Sequence, residues 1–416
     1  MIRLNTHRRI AFASSYPPRR CGIATFTSDL VENICEASGW TIEPVIVAMQ
    51  SNTSPLPSEV VSFCIDRDVK GDYMEAADFI NAGDVDAVSL QHEFGLFGGP
   101  GGSHIARMLR RIRVPVVTTL HTVLEKPLPE YHRGLIDVCN CSDRIVVMNE
   151  RGFGMLKRIY GVAQSKIELI PHGIPDVPFG QSEQYKRQLG LRDRKVIMTF
   201  GLIGPNKGIE VMIRARPQVV QADPEALYVV VGTTHPEIVK RDGYKYADWL
   251  RRLVSELGLN NHVAFYNQFV TKRQLRKFLA ATDVYVTPYM HKEQLTSGTL
   301  AFAVGSGKAV VSTPYWAAEE LLAEGRGLLV PFGDSHKLGA AIAGLLGDDS
   351  YLATMQQRAY RYGRKMVWPK VGRRYWDSMQ ALITSKHGLA AAQAGYSQEP
   401  AHAYGPYAVR QVQQPA

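Results

Sequence analysis

At 416 residues the chain is longer than one hydrophobic core usually organises, so two domains are expected. With 45% hydrophobic and 21% charged residues it reads as globular, which excludes a disordered or collagen-like chain. The net charge of +9 is dispersed in small clusters (Arg8-Arg9, Arg110-Arg111-Arg113, Arg192 to Lys195, Arg251-Arg252), a pattern that suits an anionic small molecule or an acidic membrane surface. The basic residues are not interleaved with aromatics, so no nucleic-acid partner is expected.

No apolar run reaches the length of a bilayer, and MIRLNTHRR is followed by a short strand-like run rather than a secretory apolar segment. A cytoplasmic location is expected. Cys21, Cys35, Cys64, Cys139 and Cys141 lack zinc-site spacing and read as reduced thiols.

From Arg9 onward, short β-branched runs alternate with helical patterns, the signature of parallel sheets with crossover helices. Strands are expected near Ile10–Ser14, Ile42–Ala48, Ala87–Gln91, Val114–Leu120, Arg144–Met148 and Ile167–Ile170. After PHGIPDVPFGQSE (Pro171 to Glu183), where prolines and glycines break all periodicity, the rhythm resumes. The second series lies near Val196–Phe200, Leu227–Val231, Val263–Tyr266, Val284–Thr287, Ala309–Ser312 and Leu328–Val330. The expected fold is α/β, two doubly wound parallel-sheet domains over residues 1–175 and 195–365, with a linker region at 176–194. Residues 366–386 are expected to form a helix packing back towards the first domain, and 387–416, poor in bulky aliphatics, a disordered tail.

Ligands of doubly wound sheets bind beyond the carboxyl ends of the strands, so the site is sought there. The first strand ends before Gly22, at a helix start. The third ends in Gln91-His92-Glu93 and the glycine-rich FGGPGG containing Gly98 and Gly99, and the fourth ends in His121. In the second half GLIGPNKGIE places Gly204, Asn206 and Lys207 before a helix, and the next strand ends in Gly232-Thr233-Thr234-His235. After Val284–Thr287 the turn Thr296-Ser297-Gly298-Thr299 feeds a helix over Leu300 to Val304. Small residues at a helix start leave backbone N–H groups free, and the dipole favours an anion there. Each residue alone has a plainer reading: Gly22 as a turn, His121 as a hydrogen-bonded core histidine, Lys207 as a solvated lysine, Ser297 as a helix cap.

GLIGPNKGIEVMIRA (Gly201 to Ala215), PHGIPD (Pro171 to Asp176) and EQLTSGTLAFAVGSGKAVVSTPYWAAEELL (Glu293 to Leu322) resemble the retaining glycosyltransferases of the GT-B type, family 4. HEFGLFGGPGG and TTLHTVLEKP carry the resemblance into the first half, so that it spans about Arg9 to Ser385. It implies a nucleotide-diphospho-sugar donor held mainly by the second domain and a saccharide or lipid-linked acceptor held mainly by the first, near His92, Glu93, Gly98 and Gly99. It further implies retained anomeric configuration and no metal or other cofactor. Lys207 matches the family's diphosphate lysine. Ser297, Gly298 and Thr299 match its amide-donating turn, Gly22 its first-domain glycine loop and His121 its sugar-side histidine. Gly204, Asn206, Gly232, Thr233, His235, Gln294 and Thr296 fall in the donor-binding segments.

Three positions depart from the pattern. Leu202 stands where an arginine is usual, Gln294 and Phe302 where two glutamates are, and Glu293, one residue from the first, is the substitute carboxylate. GDP-mannose is one donor the branch suggests, for cell-envelope or polysaccharide synthesis, and peripheral contact with the inner membrane face stays open, the basic stretch RMLRRIR being one candidate. The alternatives are a non-catalytic nucleotide-sugar-binding protein of this fold, and a nucleotide-sugar epimerase or phosphorylase. A Rossmann oxidoreductase fits less well, because GxGxxG is absent.

Overall fold

The computed structural model describes residues 7–50 and 58–396, with the backbone alone over 387–396. Two parallel sheets account for the strand pattern. The first contains β1 (Arg8–Ser14), β2 (Ile42–Gln50), β3 (Val61–Asp66), β4 (Ala87–His92), β5 (Val116–Leu120), β6 (Arg144–Val147) and β7 (Ile167–Leu169), in the order β3-β2-β1-β4-β5-β6-β7. The second contains β8 (Lys195–Phe200), β9 (Ala226–Val231), β10 (Val263–Tyr266), β11 (Val284–Thr287), β12 (Ala309–Ser312) and β13 (Leu328–Leu329), in the order β10-β9-β8-β11-β12-β13. Central strands such as β4, β9 and β11 are buried along their whole length, because helices cover both faces of each sheet.

β3 is absent from the expected strands. It is an edge strand, half-buried and beta-paired only with β2, so its run VSFCID lacks the continuous apolar character of its neighbours.

In each sheet the strand order reverses once, between β1 and β4 and between β8 and β11. A crevice opens at such a point, because the connections on either side leave the sheet over opposite faces. Gly22 and Glu93 follow the first pair of strands, while Lys207 and the turn at Ser297 follow the second.

The chain crosses between domains twice, and the two crossings are zipped together. Ile174 N–H donates to Met366 O (2.9 Å) and Trp368 N–H donates to Ile174 O (2.9 Å). A Cβ on Gly173 would lie 2.3 Å from the Trp368 ring, which explains the glycine in PHGIPD: the indole lies flat against its backbone. The crossing is narrower than the expected 176–194, since the helix Ser182–Gln188 already belongs to the second domain, anchored by the buried pair Lys186–Asp283 at 2.9 Å.

Past Trp368 the chain returns to the first domain. Val371, Tyr375, Trp376, Met379 and Ile383 join Ile10, Phe12, Leu30 and Ile34 in one core cluster, and the Tyr375 hydroxyl shares a 3.0 Å hydrogen bond with Thr119. This helix runs Trp368–Tyr396, so its backbone continues into the segment expected as a tail from His387. Residues 397–416 of that segment lie outside the described residues. Two of the four arginines in the basic stretch RMLRRIR are paired: Arg110 with Asp137 at 2.9 Å and Arg111 with Asp78 at 2.7 Å. Among the described residues no helix is long and apolar enough to cross a membrane.

Candidate active site

The connection after β8 turns through a short 3-10 helix, Pro205–Lys207, into the helix Ile209–Ala222. Gly208 closes the turn at φ +60, with Pro288 O only 2.0 Å from where a Cβ would stand. No other residue fits so close to that carbonyl, and the fit pins the Lys207 backbone against the end of β11. The Lys207 ammonium then sits 3.8 Å from the centre of the Tyr289 ring. Burial lowers its pKa to about 8. No carboxylate is placed against it among the described residues, so the cation is set for a negative charge from outside the chain.

Tyr289 connects that lysine to the amide turn. Its hydroxyl shares a 2.9 Å hydrogen bond with the Thr299 hydroxyl at the start of the helix Gly298–Gly305. The Ser297 hydroxyl accepts from Leu300 N–H at 3.4 Å, which leaves the Gly298 and Thr299 amides without an intrahelical acceptor. Lys207 and the start of this helix therefore meet on a single phenol, the cation over its ring and the Thr299 hydroxyl on its oxygen.

A cavity of about 290 Å³ opens beside Lys207. Leu202, Gly204 and Asn206 line it from the loop after β8, His235 and Ile238 from beyond β9, and His291, Glu293 and Gln294 from beyond β11. Five of the residues expected at the donor site meet here, Gly204, Asn206, Lys207, His235 and Gln294, together with Glu293, the expected substitute carboxylate. Gly232 and Thr233 do not line it. Gly232 sits at φ +136 with Gly201 O 1.9 Å from its missing Cβ, so it lets two strand ends cross, and the Thr233 hydroxyl donates to Thr234 O at 3.3 Å. Thr296 is half-buried, and its carbonyl accepts from Gln294 Nε2 at 3.2 Å.

On the first-domain side Gly22 opens the helix Gly22–Ala37, with nothing within 4 Å of its Cβ position. One turn later Phe26 meets two imidazoles edge-on, His121 at 4.9 Å and His172 at 5.0 Å between ring centres. His121 Nε2 is 3.1 Å from Gln91 Oε1, so Nε2–H donates to the amide oxygen and Nδ1 is left as the acceptor. Burial lowers the His121 pKa to about 3, which keeps the ring neutral. Glu93 accepts from Thr122 Oγ1 at 2.6 Å and from Phe94 N–H at 3.0 Å, and burial raises its pKa.

Two acceptor-side expectations, His92 and Gly98, are corrected. His92 alternates with Gln91 and Glu93 along β4, so it points to the opposite face. It is fully buried, stacked on Phe97 at 5.5 Å and edge-on to Phe94 at 5.1 Å. Gly98 is buried, with Arg67 O 1.9 Å from where a Cβ would stand, so it serves close packing of the loop. Gly99 is exposed, with the His104 ring 2.6 Å from its Cβ position.

His172, read at first only as part of the linker, is a site residue that the strand-end search missed. Its Nδ1 hydrogen bonds to Gly173 O at 2.7 Å, and its Nε2 lies 2.9 Å from where a Gly298 Cβ would be. Only the tertiary crossing brings the linker against the amide turn. Gly298→Ala is accordingly expected to push His172 aside and weaken binding of UDP or GDP about tenfold, measured by calorimetry. The three departures of residue type also find places: Leu202 and Gln294 in the cavity wall, and Phe302 stacked on Phe200 (6.3 Å) and edge-on to His172 (5.8 Å).

Residues 181–366 match the family model described as Glycosyl transferases group 1, and residues 67–176 match Glycosyltransferase Family 4. The chain is 26% identical over 297 residues to the D-inositol 3-phosphate glycosyltransferase of Nocardia farcinica, covering 68% of this chain and 64% of that protein, just under two thirds of it. It is 26% identical over 314 residues to the phosphatidyl-myo-inositol mannosyltransferase of Mycolicibacterium smegmatis, covering 71% and 72%. The structure of Anabaena HepE in complex with UDP-glucose superposes with a TM-score of 0.68 at 17% identity, over 90% of this chain and all (100%) of that one, a likeness of fold. The matched ranges include strands of both sheets, and the chain belongs to the group 1, family 4 glycosyltransferases of GT-B fold.

Proposed function

We propose that this protein is a retaining, metal-independent hexosyltransferase that moves a hexosyl group from a nucleotide-diphospho-sugar to a saccharide or lipid-linked acceptor. The observation that carries the reading is the pairing of Lys207 with the free amides of Gly298 and Thr299 through Tyr289. A departing diphosphate develops negative charge, and a fixed cation with preorganised N–H donors stabilises that charge without reorganising. Such a site supplies what a divalent cation would otherwise supply, so addition of EDTA is expected to leave turnover unchanged in metal-free buffer.

In this reading the neutral His121 and the open face at Gly22 border the reacting sugar, and Glu93 stands on the acceptor side. No side chain of the cleft is required as a strong base. The leaving phosphate takes the acceptor's proton on the face it departs from, which accounts for retention. GDP-mannose is the first donor to test, because relatives include a mannosyltransferase. Cell-envelope or polysaccharide synthesis at the inner face of the membrane is the corresponding setting.

The test is incubation with a panel of nucleotide sugars, with free nucleoside diphosphate as the readout and the anomeric configuration of the product read by NMR. Release that depends on an added acceptor supports transfer with the α or β form retained. Tight binding with no release would instead make the protein a non-catalytic nucleotide-sugar binder.

A further inference from the structure

Two walls of the cavity beside Lys207 repeat one local device. His235-Pro236-Glu237 follows β9 and His291-Lys292-Glu293 follows β11. In each, the backbone N–H of the glutamate donates to Nδ1 of the histidine two residues before it, at 3.1 Å for Glu237 to His235 and 3.0 Å for Glu293 to His291. A neutral ring whose Nδ1 is an acceptor carries its proton on Nε2. Both imidazoles lining the cavity are therefore fixed in the same tautomer, as Nε2–H donors, by bonds inside their own loops. Burial lowers the His235 pKa, with the Glu237 charge opposing the shift and the Lys207 charge adding to it.

The remaining walls say what such donors face. Leu202 and Ile238 are apolar, while Glu293 brings a carboxylate acceptor. No Phe, Tyr or Trp lines the cavity, so nothing there stacks a nucleobase as an aromatic shelf would. At about 290 Å³ the space is at the lower limit of ligand pockets, enough for part of a nucleotide sugar. A hexosyl unit has apolar C–H faces and a rim of hydroxyls that both accept and donate, which matches two N–H donors, one carboxylate and two aliphatic walls.

We propose that His235 and His291 form a paired-imidazole subsite that binds hydroxyl oxygens of the transferred glycosyl unit and so determines which sugar the enzyme accepts. This rests on the donor reading above. The two imidazoles act on the sugar alone, the diphosphate being held by Lys207 and the amide turn.

The test separates sugar from nucleotide. Dissociation constants for UDP, GDP, UDP-glucose and GDP-mannose are measured by calorimetry on the full chain and on His291→Ala and His235→Asn. His291 is exposed in a loop and caps no helix, whereas His235 caps the helix Pro236–Asp242, for which asparagine retains a capping acceptor. The expected result is that each variant weakens the nucleotide sugar that the wild type binds by about fivefold to tenfold, the scale of one hydrogen bond, and leaves the matching nucleoside diphosphate within twofold. Equal weakening of nucleotide and nucleotide sugar would assign the imidazoles to phosphate or base and overturn the proposal, as would no change in either variant. A wild type that binds the nucleoside diphosphates but gains nothing from the sugar overturns the subsite alone, whereas one that binds none of the four overturns the donor reading as well.

Discussion

Lys207→Ala is expected to lower turnover by about 100-fold or more, the scale of removing one key electrostatic donor from a transition state. The lysine has no carboxylate partner among the described residues and lies over the face of Tyr289. The loss should appear mainly in kcat, because the charge on the leaving diphosphate grows as the bond breaks. The pH dependence gives a second readout. With its pKa lowered to about 8 by burial, Lys207 is charged below that value and neutral above it. In the free enzyme kcat/KM should therefore fall as pH rises through about 8, and Lys207→Ala should abolish that limb. Lys207→Arg keeps a charge across the range and should move the limb to higher pH. An alanine variant with wild-type rates would remove Lys207 from the mechanism.

Tyr375→Ala is expected to cost about 3–5 kcal/mol of stability, the range for emptying an aromatic core position. Tyr375 lies in the last helix, yet its ring is fully buried in the core of the first domain, and its hydroxyl is bonded to Thr119 on β5. Removing it opens a cavity and leaves the buried Thr119 hydroxyl without that partner. Tyr375→Phe keeps the ring and should cost only about 1 kcal/mol. Denaturant unfolding followed by tryptophan fluorescence measures both. If the first domain unfolds first in Tyr375→Ala while the second keeps its midpoint, the closing helix is an integral part of the first domain's core. Equal midpoints for wild type and Tyr375→Ala would show that the helix contributes nothing to it.

The two predictions depend on different levels of organisation. Lys207 was accessible to sequence reasoning because a glycine-flanked lysine after a strand marks a local turn, and strand ends are where doubly wound sheets bind ligands. The same holds for Ser297, Gly298 and Thr299, whose small side chains before an apolar run mark a helix start. Strand positions were legible because β-branched runs such as Val229–Val231 and Val284–Val286 must be buried on both faces. β3 was not, since an edge strand is buried on neither scale nor period strongly enough to stand out.

What local pattern determined, then, was the alternation of strands and helices, the two-domain division and the residues at the strand ends. It could not decide which strand-end residues share a space. His92 and Glu93 are adjacent, yet alternation sends one ring into the core and leaves the other carboxylate beside Thr122. Gly98 looks like part of a ligand loop until Arg67 is seen to occupy the room beside it. His172 meets Gly298, and Trp368 covers Gly173, only because two crossings distant in the chain lie side by side. Strand and helix periods are set by neighbours a few residues apart, whereas the site is set by contacts such as Lys207 on Tyr289 and His172 on Gly298, between residues far apart in the chain that meet only once the tertiary structure has formed.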